Sequence, residues 1–179
     1  MPLNPTRRYF DRIARQPCWH ATAEYGTWLS LNFGQPKLVI REGNPSSKSE
    51  LMRRRKVTVQ GDGLLWVEMG AWELREGRRR LFHSEQSRSF LRRAAARLDG
   101  QILVRLEVQT SPLRSTFSFD HGSVLSVWAH ETNEDDDPLW HIYGGRGCLS
   151  LLAGGKVEYG HGNSQSPRRV AASSVACAA

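Results

Sequence analysis

The sequence predicts an α+β fold, mainly antiparallel β-sheet, built from two related β units with one central helix at about 87–98. Three observations carry this. Apolar residues alternate with period two over most of the chain, as half-buried strands require. One segment, 87–98, instead repeats at helical spacing. Two short patterns recur in the same order: LSLNFG at 29–34 and FSFDHG at 117–122, then LLWVEMG at 64–70 and PLWHIYG at 138–144. Matched patterns in matched order predict a duplicated β unit. The domain reading is a basic N-terminal segment at 1–24, a single α+β domain at 25–160, and a tail at 161–179 without periodic pattern, expected to be disordered. Within the domain the β units span 25–86 and 101–160.

In TWLSLNFG, Leu29, Leu31 and Phe33 share one face, and Trp28 falls on the polar face. Gly34-Gln35-Pro36 reads as a turn into KLVIRE, so a hairpin is expected there. After the polar loop at 43–50, strands are predicted at 56–60, 64–69, 71–75 and 81–83, the second and third meeting at Gly70. Ser87 is the candidate N-cap of the helix, and Gly100 stands where a C-terminal cap is expected. Phe90, Leu91, Ala94, Ala95 and Leu98 make its apolar stripe. Ile102, Val104, Leu106 and Val108 alternate as a further strand. A hairpin around Gly122 and three strands at 139–143, 148–152 and 156–159 complete the second unit. A short helix at 7–15, ended by Pro17, is compatible with Phe10, Ile13 and Ala14 on one face.

The net charge of +7 is unevenly spread. Residues 1–98 hold 19 Lys and Arg against 9 Asp and Glu, giving +10; residues 99–179 hold 6 against 9, giving −3. A basic half of this kind attracts polyanions or acidic partners. Its clusters are Arg53, Arg54, Arg55 and Lys56 before a strand, Arg78, Arg79 and Arg80 at a turn, and Arg88, Arg92, Arg93 and Arg97 along the helix. Arginine forks bind phosphate or carboxylate bidentately. Separate solvated surfaces are the competing reading of such runs.

Catalytic signatures are absent: the chain has no GxSxG, HExxH, Walker A or GxGxxG. No catalytic residue, metal ligand or cofactor is therefore assigned, and the chain is read as a non-enzyme. Cys18, Cys148 and Cys177 are odd in number and widely spaced, which fits reduced thiols and a cytoplasmic location rather than a disulfide framework. No apolar run reaches the length of a membrane span, and no membrane partner or secretory signal is expected. His121, His141 and Asp120 would make an acid–base or metal pair only if their strands met; strand-end imidazoles are the plainer reading. Asp135, Asp136 and Asp137 read as a solvated acidic loop rather than a cation site.

The stretches GTWLSLNFGQPKLVIRE, LLWVEMGAWEL, the helix ending in LDGQIL, FSFDHGSVLSV and LWHIYG resemble a family of small uncharacterised bacterial proteins. The resemblance spans about 25–160. It implies one β unit, a single helix and a related β unit, and it brings no catalytic residue with it. By analogy, proteins of this texture serve as toxin-immunity or phage-defence accessories, although immunity proteins against nucleases are commonly acidic. The expected function is non-catalytic binding to an unknown protein partner, with Arg53, Arg54, Arg55, Arg78, Arg79, Arg80 and Trp28 as contact residues. The alternative is binding of a nucleic-acid phosphate backbone through the arginine clusters.

Overall fold

The structure, a computed structural model, describes residues 5–23, 26–145, 147–161, 168–170 and 176–178. It is α+β and mainly antiparallel. In chain order the elements are α1 (Pro5–Ile13), β1 (Cys18–Ala23), β2 (Leu29–Phe33), β3 (Lys37–Arg41), α2 (Glu50–Arg53), β4 (Lys56–Gln60), β5 (Gly63–Val67), β6 (Ala71–Glu76) and β7 (Arg79–His83). Then come α3 (Arg88–Leu98), β8 (Leu103–Thr110), β9 (Leu113–Phe119), β10 (Ser123–Trp128), β11 (Pro138–Gly144), β12 (Gly147–Leu152), β13 (Val157–His161), β14 (Arg168–Val170) and β15 (Ala176–Ala178).

Two sheets face one another. The first has the order β1-β2-β5-β11-β12-β13-β14, the second β15-β8-β9-β10-β6-β7, and β3-β4 form a separate two-stranded ribbon. Period-two alternation sends Leu29, Leu31, Leu65, Val67, Trp140 and Ile142 of the first sheet inward. They meet Trp72, Leu74, Phe117, Phe119, Leu125 and Val127 of the second in one continuous core. Trp140 stacks edge-on against Phe117 at 5.6 Å and donates its indole N–H to Ser115 Oγ at 2.7 Å, so the polar end of the buried ring is satisfied. Leu91, Ala94, Ala95 and Leu98 of α3 cap the core beside β1. Gly100, at φ +84°, ends that helix as its position predicts.

Several expectations are corrected. The hairpin from Gly34 does not form, because β1 and β5 occupy both edges of β2 and leave none for β3. β3 instead pairs with β4, Leu38 opposite Val59 and Ile40 opposite Val57. Residues 71–76 do not continue residues 63–67 as a bent strand. Gly70 marks the crossing between sheets, where a Cβ would meet Val127 Cγ1 at 2.5 Å. Along β8 a register shift between Leu103 and Arg105 turns Leu103 and Leu106 inward and leaves Val104 exposed. Phe90 lies outside the buried stripe of α3, with the Arg93 guanidinium over its ring at 5.6 Å. Ser87 holds the N-cap position without a side-chain cap bond. Of 161–179, His161 ends β13, two three-residue pieces pair as edge strands, and the rest lies outside the described residues.

The repeated patterns do not occupy repeated places. Leu29–Phe33 is β2 of the first sheet, whereas FSF closes β9 of the second, with Asp120 and His121 already in the turn. The two Leu-Trp segments are β5 and β11, direct antiparallel neighbours in one sheet. A bulge between Pro138 and Trp140 buries Trp140, while Trp66 faces out.

Gly63, Gly144 and Gly147 lie in one register row across β5, β11 and β12. Their missing side chains let α1 lie across the ends of these strands. A Cβ on Gly63 would overlap Ile13, one on Gly144 would meet Arg12 Cδ at 2.7 Å, and one on Gly147 would overlap Tyr9. Phe10 and Ile13 are fully buried by this approach, worth about 1.5–3 kcal/mol each.

Gly63→Ala should therefore cost about 1–3 kcal/mol of stability through overpacking, measured by urea unfolding. Adding Ile13→Ala to it should cost less than the sum of the two single changes. Full additivity would mean that α1 does not rest on the glycine row.

Candidate functional site

The outward face of the first sheet carries two cross-strand rows. One runs Ser30, Trp66, His141, Ser150 and Glu158; the other runs Asn32, Leu64, Tyr143 and Cys148. The second sheet covers only the opposite face. Above the outward face the β3–β4 ribbon stands off and leaves an open cleft of about 1800 Å³. Trp19, Trp28, Trp66 and Tyr143 line its floor, and Arg41 and Lys56 line its wall.

The floor is an aromatic cluster. Trp28 stands edge-on to Trp66 at 5.7 Å, Trp66 stacks with Tyr143 at 6.4 Å, and His141 lies 5.5 Å from Trp66 and 5.6 Å from Tyr143. Trp28 is 43% exposed, at the level where an aromatic ring can meet a ligand.

The ribbon leaves the sheet at a pinned turn. Asp62 pairs with Lys37 and accepts the Gln35 N–H at 3.1 Å, and these bonds hold its carboxyl below the ordinary carboxylate range. Trp19 donates its indole N–H to Gly34 O at 2.8 Å, and the Gly61 N–H bonds Asn32 Oδ1 at 3.0 Å. Arg41 and Lys56 face each other across the ribbon. Neither makes an ion pair among the described residues, and like charges directly opposite destabilise a ladder. The ribbon's other face exposes Leu38, Ile40, Val57 and Val59, of which Ile40 and Val59 also border the cleft.

The arginine clusters form two surfaces. Arg53, Arg54 and Arg55 stand on and beside α2 at the far end of the ribbon. Arg53 bonds Ser47 O, Arg54 pairs with Glu50, and Arg55 pairs with Glu42 at 2.9 Å. Arg78, Arg79 and Arg80 lie at the β6–β7 turn next to α3, where Arg97 clamps Glu76 and Arg93 lies 6.0 Å from the Phe82 ring. The helix arginines and the turn arginines are thus neighbours, and the ribbon group is separate. Of the two cations that line the cleft, Lys56 ends the basic run at 53–56 and Arg41 belongs to no run.

His141 is the most strongly tied titratable group on this face. Its Nε2 lies 2.7 Å from Glu68 Oε2 and its Nδ1 lies 2.6 Å from Ser150 Oγ and 3.7 Å from Cys148 Sγ. Burial alone would lower the pKa of the ring. Hydrogen bonds and charge from Cys148 and Glu68 outweigh burial and raise it to about 9. The partners foreseen for His141 are not its partners: His121 sits in the exposed β9–β10 turn, 3.8 Å from Asp120. Cys18 is buried in the core and Cys148 lies on the outward face, both as free thiols. In the acidic loop Asp137 accepts the Glu134 N–H at 2.9 Å and bonds Asn133. No group of three or more His, Cys, Asp or Glu that could hold a metal ion occurs among the described residues. No described helix is long and apolar enough to cross a membrane.

Two signals for this site are present in the sequence. Trp66 and His141 fall at outward positions of strands with clean alternation, and Arg41 and Lys56 bracket the loop that ends in the first basic run. Their meeting depends on the β5–β11 pairing and on the ribbon, which a hairpin at Gly34 would not make.

No protein-family model, curated protein or solved structure matches this chain.

Because the folded pKa of His141 lies above its unfolded value near 6.5, the stability it contributes is complete below pH 6.5 and is lost as pH rises through about 9. Urea unfolding between about pH 6 and 10 should show this loss in the wild type and a flatter profile in His141→Gln. Equal profiles would mean that the imidazolium is not held by Glu68 and Cys148.

Proposed function

We propose that this chain is a non-catalytic binding protein and that its cleft takes a single-stranded nucleic acid. One observation carries the reading: a floor of Trp28, Trp66 and Tyr143 faces a wall bearing the like-charged pair Arg41 and Lys56. Proteins that bind single strands combine stacking rings for the bases with cations for the backbone. A phosphate between Arg41 and Lys56 would relieve their mutual repulsion. The separated basic surfaces on α2 and on α3 with β7 would attract the strand at longer range.

A second reading, a protein partner of the immunity or defence-accessory kind, is favoured by the ribbon's outer face. Leu38 and Val57 there are 71% and 55% exposed, and contiguous exposed apolar surface of this kind marks interaction sites.

Fluorescence anisotropy with labelled oligo-dT and oligo-U at low salt separates the two readings. Binding should weaken by about 1–3 kcal/mol in Trp66→Ala or Trp28→Ala. The double change Arg41→Ala/Lys56→Ala should flatten the log–log salt slope by about 0.7 for each phosphate no longer neutralised. Absence of binding to either oligonucleotide at low salt, or weakening only on replacing Arg78, Arg79 and Arg80, would overturn the cleft assignment.

A further inference from the structure

Two nucleophilic side chains share one imidazole nitrogen on the outward face. Ser150 Oγ lies 2.6 Å and Cys148 Sγ 3.7 Å from His141 Nδ1, and the two nucleophiles are 3.6 Å apart. On the other side of the ring Glu68 holds Nε2 at 2.7 Å, and Trp66 and Tyr143 pack the ring at 5.5 Å and 5.6 Å between centroids. Nucleophile, imidazolium and carboxylate thus stand in the order of a thiol activated by an adjacent cation and the group that orients that cation. Ser150 is 5% exposed and closed to a reagent. Cys148 is half-buried, and its ladder partner Tyr143 and chain neighbour Gly147 both line the cleft. Cys18, by contrast, is fully buried in the core, where desolvation pushes its thiol far up.

Acyl transfer is the wrong chemistry for this place. It needs N–H donors aimed at a developing oxyanion, but Cys148 sits within a ladder between Tyr143 and Gly160, where strand pairing commits the backbone N–H groups. Attack on a disulfide builds no oxyanion and needs only a reachable, activated thiol.

We propose that Cys148 is a thiol–disulfide exchange site, with His141 as its proton carrier, Glu68 as the residue positioning His141, and low-molecular-weight disulfides as the reagent. Cys148 reacts as a thiolate paired with the His141 imidazolium, which holds the proton at Nδ1, and Sγ attacks one sulfur of the disulfide. A Cys148–S bond forms, the reagent's S–S bond breaks, and the departing thiolate takes the proton from His141. The products are a mixed disulfide on Cys148 and one free thiol. This assignment does not depend on what the cleft binds. Glu68, Tyr143 and Cys148 are the titratable groups against His141, with Glu158, paired to Lys156 at 3.1 Å, one strand beyond Ser150.

The test uses the full chain carrying Cys177→Ser, with 5,5′-dithiobis(2-nitrobenzoate) for rates and oxidised glutathione for mapping by intact mass and peptide mass. The proposal expects one fast-reacting thiol, a glutathione adduct on Cys148 and loss of both in Cys148→Ala. His141→Gln should slow the fast phase about tenfold or more. Ser150→Ala, which frees Nδ1 for the thiol, should quicken it. Glu68→Gln should move the midpoint of the rate–pH profile upward, which a merely structural role would not do. Circular dichroism checks that each variant folds. A Cys148 rate equal to that of the urea-unfolded chain, or rates unchanged in both His141→Gln and Ser150→Ala, would overturn it.

Discussion

The antiparallel pairing of β5 with β11 is the interaction on which the rest of the molecule depends. It joins the basic first half of the chain to the acidic second half at the middle of one sheet, from Gly63 opposite Gly144 to Val67 opposite Trp140. Because side chains alternate along both strands, this one register fixes both faces at once. Leu65, Val67, Trp140 and Ile142 enter the core, while Trp66, His141 and Tyr143 are set side by side on the outside. A slip of one residue would exchange the two sets. The same register lines up the glycines on which α1 rests, so the helix packs against the strand ends that only this pairing brings together.

The second constraint is the occupancy of β2. With β1 on one edge and β5 on the other, the chain leaving Phe33 has nowhere to pair in the sheet, and β3 folds back onto β4. The ribbon so made is held at its root by Asp62, Lys37 and the Trp19 indole. It turns an open sheet face into a cleft. Aromatic rings come from the sheet and positive charge from the ribbon, so neither element alone makes the site. A ribbon of two strands has little stability of its own, and its apolar outer face and its repelling Arg41–Lys56 pair both stand where a bound ligand or partner would settle them.

Much of the fold is legible in residue periodicity. The helix between Ser87 and Gly100, the hairpin around Gly122 and the strands containing Trp66 and His141 follow from local patterns that burial respects. What local pattern misses is partner choice. The CWHATA segment holds one buried cysteine at its start and no clean alternation, so nothing in its pattern marks β1 as a strand. The likeness of LLWVEMG to PLWHIYG is real as a pattern, but a bulge of one residue buries Trp140 and leaves Trp66 outside. Pairing places these strands next to each other rather than in separate units. The basic runs stand out by their length, Lys56 among them, whereas Arg41 becomes visible as its partner only when the ribbon brings the two over the aromatic floor. Trp28, which falls on the polar face of its strand pattern, does lie on the outward surface, beside Trp66.

The most direct test of the cleft as the binding site is chemical-shift mapping of the isotopically labelled chain with a short oligo-dT. The largest shifts should fall on the indole N–H signals of Trp28 and Trp66 and on the backbone of β3, β4 and the Tyr143 end of β11. Shifts confined to α3 and the β6–β7 turn, or none at saturating oligonucleotide in low salt, would contradict it.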